Sequence, residues 1–569
     1  MINPAIRRSA EDADAAETQR PRPWRPAAAS LIWAVPAAVT AALGLYQIGV
    51  PMLWRDEFAT WSASGRSLTQ LYAMLHHVDA VLGVYYFGIH LWMGVFGDSA
   101  TAMRLPSVIA MAGAAAVVAL TGRRLAGAGA GLAGGLVFAV LPSASRYAQE
   151  ARPYAFAVFF AALATLLLLR AVERPSWHRF GWYALALAAV GASNLVALCV
   201  LAGHAVIVLA ACWQRTAPLF GGTEEEGTEE DGGDAVALGR WIPATPMMLA
   251  GYCLSAVVAV LLNAPIVLVG HRQSVYQIGQ QPTPSLGQLF GLGGTATGPV
   301  WPQLFTSTPV AIAVIVLAVA SVAVARRRVL AGCILAGAIL PIVTIWLVSH
   351  GPASYWVVRY LLFTLPAWAV SAGIGIDGIA QRLPRPRIAR LGPVPRYSAV
   401  GGLIVVVGLL GVHDQWAIRQ AGAHNQWSYP VAMSNAQPVD YTAAAAVIAA
   451  NQRPGDGIVF QVADHNHYQV DSSVAYYLRG KPQPKPVFQA KTQAQAGRLQ
   501  PTLCAQAASC LSGTPRLWVV YVNHLPQGTY RNPFAAIPAD EATVLRQAGY
   551  RTQALYKKDG ITVALLVVG

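Results

Sequence analysis

Apolar stretches of roughly 20 residues recur along this chain, and a water-soluble domain has nowhere to bury so many of them. They run near residues 28–50, 102–121, 129–145, 153–170, 181–193, 195–212, 247–269, 308–325, 329–349, 357–379 and 398–413. Only 12% of the residues are charged, about half the share of a soluble domain, and the mean hydropathy is +0.45. An ordinary cytosolic enzyme is excluded. The expected fold is mainly α: a polytopic membrane protein with about eleven transmembrane helices. A net charge of +14 invites a nucleic-acid reading, but the arginines cluster at the ends of apolar segments, where membrane loops carry them. No nucleic-acid partner is expected; membrane lipids are.

Residues 1–28 are polar and contain Arg7, Arg8, Arg20, Arg22 and Arg25. No small-residue cleavage site and polar mature domain follow at once, so the first apolar run reads as a retained span with its basic end in the cytoplasm. If the spans alternate, Arg123–Arg124, Arg170 to Arg179, Arg326–Arg328 and Arg382 to Arg396 all fall on that same side. Val84–Phe96 is apolar too, but counting it as a full span would place Arg123 and Arg124 outside. It reads as an interfacial or short re-entrant helix. The membrane module then covers 29–413, in the plasma membrane, with external loops at 51–101, 145–153, 270–307 and 350–357. The acidic, Gly-rich stretch Gly221–Asp234 reads as a structureless cytoplasmic insert.

From Asp414 onward the chain turns soluble. An Ala-rich helical stretch at Asp440–Asn451 and strand-like runs at Gly457–Val462, Leu517–Val522 and Ile561–Val568 predict a small extracytoplasmic α/β domain over 414–569. Cys504 and Cys510 are six apart in this domain, and an oxidising compartment favours a disulfide over two free thiols. Two cysteines without nearby histidines lack the ligand count of a metal site. Cys199, Cys212, Cys253 and Cys333 fall in spans, where cysteine behaves as a small hydrophobe.

The chemistry-bearing residues concentrate on one face. Trp54-Arg55-Asp56-Glu57 follows the first span, and adjacent acids at a bilayer edge are costly unless solvated, paired or working. The bland alternative is an interfacial charged turn anchored by Trp54 and Trp61. The same loop adds His76, His77 and Asp79, and the next supplies Ser145 to Tyr154 with Gln149, Glu150 and Arg152. Later loops bring His271-Arg272-Gln273 and Tyr355, Arg359 and Tyr360. Acids, histidines and arginines from separate loops on one face are what an active site requires.

In this order, WRDE, HVDAVLGVYY leading to GDSATAMRLPS, SRYAQEARPYAF and RYLLFTLPA at Arg359 resemble the C-fold (GT-C) glycosyltransferase superfamily. The resemblance is to its family-39-like branch, with protein O-mannosyltransferases, lipid A aminoarabinose transferases and actinobacterial envelope mannosyltransferases, and covers roughly residues 30–415. One departure stands out: many relatives carry a His-Pro-Pro-Leu-Tyr-Tyr-like stretch where this chain has His77-Val78-Asp79-Ala80. The resemblance implies transfer of a sugar, with mannose favoured, from a polyprenyl-phosphate donor to a glycan, glycolipid or protein acceptor. It makes Asp56 the base, Glu57 a positioning or acceptor-binding group and Glu150 a second-loop acid. Arg272 and Arg359 are the expected phosphate ligands, since guanidinium binds phosphate in a bidentate fork. Arg152 either joins them or pairs with Glu150, and Tyr355 lies beside Arg359. His77, Asp79, Tyr85 and Gln149 are expected to contact the acceptor or fix the loops. Ion pairs that merely tie loops together are the structural alternative for each arginine. No cofactor is assigned, and a divalent cation stays open.

Weaker signals take structural readings. His204 reads as a satisfied core histidine, Pro36, Pro265 and Pro366 as helix kinks, the Arg382–Arg396 run as a headgroup contact, and His465 and His467 as a solvated loop. Walker and dinucleotide fingerprints are missing from the sequence, so direct nucleotide use has no support. Two alternatives remain beside a mannosyltransferase: an arabinosyl or other lipid-linked sugar transferase of the same fold, and a non-enzymatic lipid or solute transporter. A transporter places ionisable groups at mid-membrane, whereas these gather at one face.

Overall fold

The computed structural model describes residues 26–216, 244–277, 281–291, 300–383, 387–388, 392–393, 396–421, 439–461, 469–511, 513–523 and 532–569. The basic N-terminal arm, the acidic insert, His465 and His467, and much of the 384–395 run lie outside the described residues. The membrane module is built from α1 (Pro26–Leu45), the loop helices α2 (Arg55–Ser64), α3 (Leu68–Leu75) and α4 (Gly83–Phe96), then α5 (Ala100–Ala126), α6 (Ala128–Val140), α7 (Pro142–Ala148) and α8 (Tyr154–Glu173). It continues with α9 (Trp177–Ser193), α10 (Val200–Thr216), α11 (Ala244–Gln277), α12 (Thr308–Val324), α13 (Arg328–Val348), α14 (Leu365–Arg382) and α15 (Arg396–Leu410).

The apolar stretches expected to span are helical, and among the described residues the count of about eleven is supported in part. Six segments are long and apolar enough to cross a membrane: Ala100–Ala126, Tyr154–Glu173, Leu195–Trp213, Thr245–Ser274, Arg328–Val348 and Val358–Arg382. The pair α6–α7, bent by 61°, makes a seventh if it is one span. Helix α1, 20 residues long, reaches about 30 Å, the thickness of a hydrocarbon core, while the 17 residues of Thr308–Val324 and the 13 of Ser398–Leu410 reach about 20–26 Å. Helix α4, with 14 residues, is likewise too short to span. Pro36 and Pro265 sit inside helices, whereas Pro366 occupies the first turn of α14, a position that needs no N–H.

Small residues let the module close up. Gly134 of α6 lies so near α14 that a Cβ there would meet the Ala369 carbonyl at 3.0 Å, and Gly373 of α14 faces Gly134 in return. His204 is satisfied as read: Tyr183 and Thr165 hydroxyls bond its two ring nitrogens at 2.9 and 3.0 Å.

The C-terminal domain is a five-stranded sheet with α16 (Tyr441–Asn451), α17 (Val470–Tyr477) and α18 (Ala539–Gln547). Its strands are β1 (Gly457–Phe460), β2 (Lys485–Pro486), β3 (Arg516–Val522), β4 (Tyr550–Lys558) and β5 (Ile561–Val568), in spatial order β2-β1-β3-β5-β4. β1 pairs in parallel with β2 and β3, while β5 runs antiparallel to β3 and β4. Alternation sorts β3 between two cores: Trp518, Val520 and Val522 pack beneath α16 and α17, and Leu517, Val519 and Tyr521 pack with α18. Cys504 and Cys510 are disulfide-bonded.

Candidate active site

The loop after α1 folds as a helix because its own acids start it. Asp56 and Glu57 occupy the first turn of α2, where the helix dipole favours negative charge, and the Trp54 N–H donates to Glu57 Oε2 at 3.3 Å. The two acids then part company. Glu57 is fully buried against Arg104 of α5, whose Nε and Nη2 each donate to its carboxylate at 2.8 Å. The Ala151 N–H donates to the same carboxylate at 2.9 Å. The remaining Arg104 donors go to the carbonyls of Ile48 and Pro51, both at 2.8 Å, and Met52, at 3.2 Å. All five guanidinium N–H groups are thereby used. In this arrangement Glu57 binds the loop together and offers no oxygen to an acceptor.

Asp56 is held loosely by comparison. Its carboxylate lies 3.3 Å from Arg55 Nε and 3.9 Å from Arg152 Nη2. Arg152 also donates to the Asp56 carbonyl at 3.3 Å and the Tyr86 hydroxyl at 3.2 Å. Tyr86 in turn donates to Asp79 Oδ2 at 2.7 Å, and Gln277 Nε2 donates to Asp79 Oδ1 at 2.8 Å. Arg359, at the start of the last long span, donates from Nε to the Tyr154 hydroxyl at 2.9 Å and sits 5.9 Å from the Trp54 ring centroid. Its charge reaches Asp56. Glu150 pairs with Arg146, one helical turn back, through Oε2. Arg152 therefore serves Asp56, and the Arg152–Glu150 alternative gives way to Arg146–Glu150.

Three buried polar atoms of this cluster have no hydrogen-bond partner among the described residues: Glu150 Oε1, Arg152 Nε and the Tyr85 hydroxyl. Buried polar atoms are nearly always satisfied, so such a group is where a polar ligand or water fits. The charges differ in state as well as place. Burial works to raise the Asp56 pKa, but Arg152, Arg55 and Arg359 outweigh it and hold the carboxyl below its ordinary value. Burial prevails at Glu150, where Arg146 opposes it and the neighbouring Glu57 and Asp56 charges add to it, so its pKa is raised. Burial likewise raises Asp79, against the pull of Arg152. One carboxyl held below its ordinary value beside two pushed above theirs is the pattern of a site whose environment separates its acids, as a base and its neighbours require.

Other expected site residues fall outside the cluster. Arg272 is exposed near the end of α11, and no carboxylate among the described residues pairs with it; its neighbour Gln273 instead accepts the Ala80 N–H at 2.9 Å. His77 is exposed, with Nδ1 3.0 Å from the Ala73 carbonyl. Gln149 donates to the Gly44 and Tyr46 carbonyls at 3.0 and 2.7 Å, fastening the second loop to the end of α1. Tyr355 is half-buried, with its N–H on Ser349 Oγ at 3.0 Å. Among the described residues no three His, Cys, Asp or Glu side chains come together as a metal site would require. Sequence reasoning missed Arg104, Arg146, Tyr86 and Tyr154. An arginine inside an apolar helix was the available signal for Arg104.

The soluble domain roofs this cluster. Phe58, two residues after Asp56, sits edge-on to Tyr441, Tyr476 and Tyr477 at 5.1, 5.8 and 5.9 Å, and shares one apolar core with Trp518 and Val520. Arg479 stacks on Tyr476 at 3.4 Å and pairs with Asp98 at 3.5 Å, while Gln493 accepts the Ser62 hydroxyl at 2.7 Å.

A multi-pass helical module, a charged cluster at one end of it and an α/β roof make up a fold that this chain shares with a solved membrane protein, ArnT. Residues 83–220, which include Tyr85, Arg104, Glu150 and Arg152, match the family model described as dolichyl-phosphate-mannose-protein mannosyltransferase. ArnT from Cupriavidus metallidurans, in the apo state and bound to undecaprenyl phosphate, is similar in structure with a TM-score of 0.52 and 14% identity, over 94% of this chain and 97% of that one. The Archaeoglobus fulgidus oligosaccharyltransferase is more distant, with a TM-score of 0.40, 11% identity, and coverage of 93% and 72%. No curated protein sequence matches the chain significantly.

Proposed function

We propose that this protein transfers a sugar from a polyprenyl-phosphate donor to an extracytoplasmic hydroxyl acceptor, a glycan, glycolipid or protein, with inversion and with Asp56 as base. The observation that carries this reading is the meeting of one ionised carboxylate with Arg152 and Arg359 from two other segments of the chain. Asp56 takes the acceptor hydroxyl proton as the acceptor oxygen bonds to the sugar's anomeric carbon. The bond from that carbon to the phosphate oxygen breaks, and polyprenyl phosphate leaves with the electron pair. Arg359 and Arg152 stabilise the charge that grows on the phosphate. Glu150, paired with Arg146 through Oε2, leaves Oε1 to accept a hydrogen bond from a sugar hydroxyl.

Mannose is the favoured sugar on the description of the matching family model. The structural likeness to ArnT, whose complex holds undecaprenyl phosphate, supports the lipid-phosphate donor and does not choose the sugar. The test is purified protein in lipid nanodiscs with radiolabelled polyprenyl-phosphate mannose, polyprenyl-phosphate arabinose and a panel of acceptors. Label transfer that disappears in Asp56→Asn supports the reading. Equal transfer in wild type and variant removes Asp56 as base, and no transfer from any lipid-linked sugar overturns the function.

A further inference from the structure

At the opposite end of the membrane module from Asp56 lies a cavity of about 320 Å³ that the transfer reaction does not use. Helix α5 runs from Ala100, two residues after the Asp98 that pairs with Arg479 of the C-terminal domain, to Ala126 at the cavity, and its 27 residues span about 40 Å. Three arginines line the cavity: Arg124 in the last turn of α5, and Arg326 and Arg327 just before α13. Arg124 is held at the rim by Glu173. Arg326 and Arg327 are exposed and have no hydrogen-bond or ion-pair partner among the described residues. The one carboxylate in the lining, Asp377, is buried and accepts from Gln381 Nε2 at 2.8 Å.

The lining also carries the apolar side chains of Leu125, Val324, Leu330 and Ile374. Two helices also begin here. Neither Gly127, ahead of α6, nor Arg327, ahead of α13, supplies a side-chain cap, so first-turn N–H groups of both helices stay outside the helical ladder. Guanidinium groups, nearby helix-start N–H donors and aliphatic side chains in one lining suit an anion that carries hydrocarbon rather than a free ion. The volume is at the lower end of ordinary ligand sites, about 300–1,000 Å³. From this geometry we infer that the cavity is a binding site for the phosphate headgroup of an anionic phospholipid in the leaflet facing away from the candidate active site. Arg326 and Arg327 hold the phosphate, and the glycerol and first methylenes lie along Leu330 and Ile374.

The experiment uses the full chain in nanodiscs of phosphatidylcholine with a minority of phosphatidylglycerol, with co-purifying lipids counted by mass spectrometry. Wild type should retain phosphatidylglycerol over phosphatidylcholine, and Arg326→Gln/Arg327→Gln should lose that preference about tenfold. The single variants Arg326→Gln and Arg327→Gln, each expected to lose part of it, keep the test open should the double variant not fold, which its Tm in pure phosphatidylcholine reports. Equal retention by wild type and a folded variant overturns the site. Full displacement of phosphatidylglycerol by inorganic phosphate overturns the lipid assignment, because a free anion would then suffice.

Discussion

Asp56 and Glu57 are adjacent in sequence, start the same helix and both face arginine, yet their surroundings are opposite. Glu57 is sealed from solvent with every Arg104 donor assigned, so neither partner has capacity left. Asp56 is half-buried, sits 3.9 Å from its arginine across the loop, and is surrounded by polar atoms that lack partners. The difference separates two uses of charge. A satisfied buried pair fixes geometry and does no chemistry, whereas a carboxylate kept ionised but incompletely bonded has lone pairs for a proton.

The largest effect expected is structural. Arg104→Ala leaves the Glu57 carboxylate buried without its cation, which costs about 3–5 kcal/mol, so the purified variant should melt far below wild type or fail to accumulate. A wild-type Tm would break the contrast at once. Next, Asp56→Asn should lower transfer by at least ~10²-fold while Tm stays near wild type, since the amide keeps the shape and loses the base. If that variant melts early and turns over normally, the two acids have exchanged roles. Arg359→Lys should weaken donor binding by about tenfold, because an ammonium keeps the charge and lacks the planar fork. Unchanged binding of polyprenyl phosphate with a lowered Tm would assign Arg359 to loop tethering instead.

The smallest effect sharpens the contrast from outside the site. Glu541 is buried in α18, and burial, helped by Asp540, pushes its pKa up to about 8 from 4.5. Because the folded form holds this proton and the unfolded chain releases it, stability should fall as pH rises from about 4.5 to about 8 and level off above. Glu541→Gln should flatten that dependence, raising Tm by a few degrees at pH 8 and changing little at pH 4.5. A pH-independent difference between the two proteins would mean that Glu541 is already ionised in the fold. Glu57, Asp56 and Glu541 then form a series: cation saturated, cation shared, and no cation.

Hydropathy made the helices legible because a span needs only length and apolar side chains. It reads length less well than apolarity: α12 has 17 residues, short for a straight crossing, yet exposes Ile312, Val316 and Val319 as a lipid-facing helix would. Grouping the basic clusters on one side was sound reasoning from charge: Arg124, Arg326 and Arg327 line one cavity. In the soluble domain β5 has the expected bounds, while β4 went unread, since its sequence YRTQALYKK is an exposed, polar edge. The Asp559-Gly560 turn between them, with Gly560 at φ +68°, was the overlooked hairpin signal. Within the site, Asp56, Glu150, Arg152 and Arg359 were visible as charges on one face. Which acid met which arginine was not, because Glu57 finds its partner 47 residues away and Glu150 finds its own only four away.

The shared apolar core of α2 and the soluble domain also imposes an order in time. Leu53 donates its N–H to the Tyr477 hydroxyl across 424 residues of chain, and Phe58 rests on Tyr441, Tyr476 and Tyr477. At about 5–20 residues per second, the loop that carries Asp56 has been made some 20–80 s before those tyrosines leave the ribosome. During that interval Phe58 has no aromatic neighbours to pack on. The helix dipole and Arg104 can form α2 early, but its seating waits for α17, so the loop that carries Asp56 is among the first parts of this protein to be made and among the last to be finished.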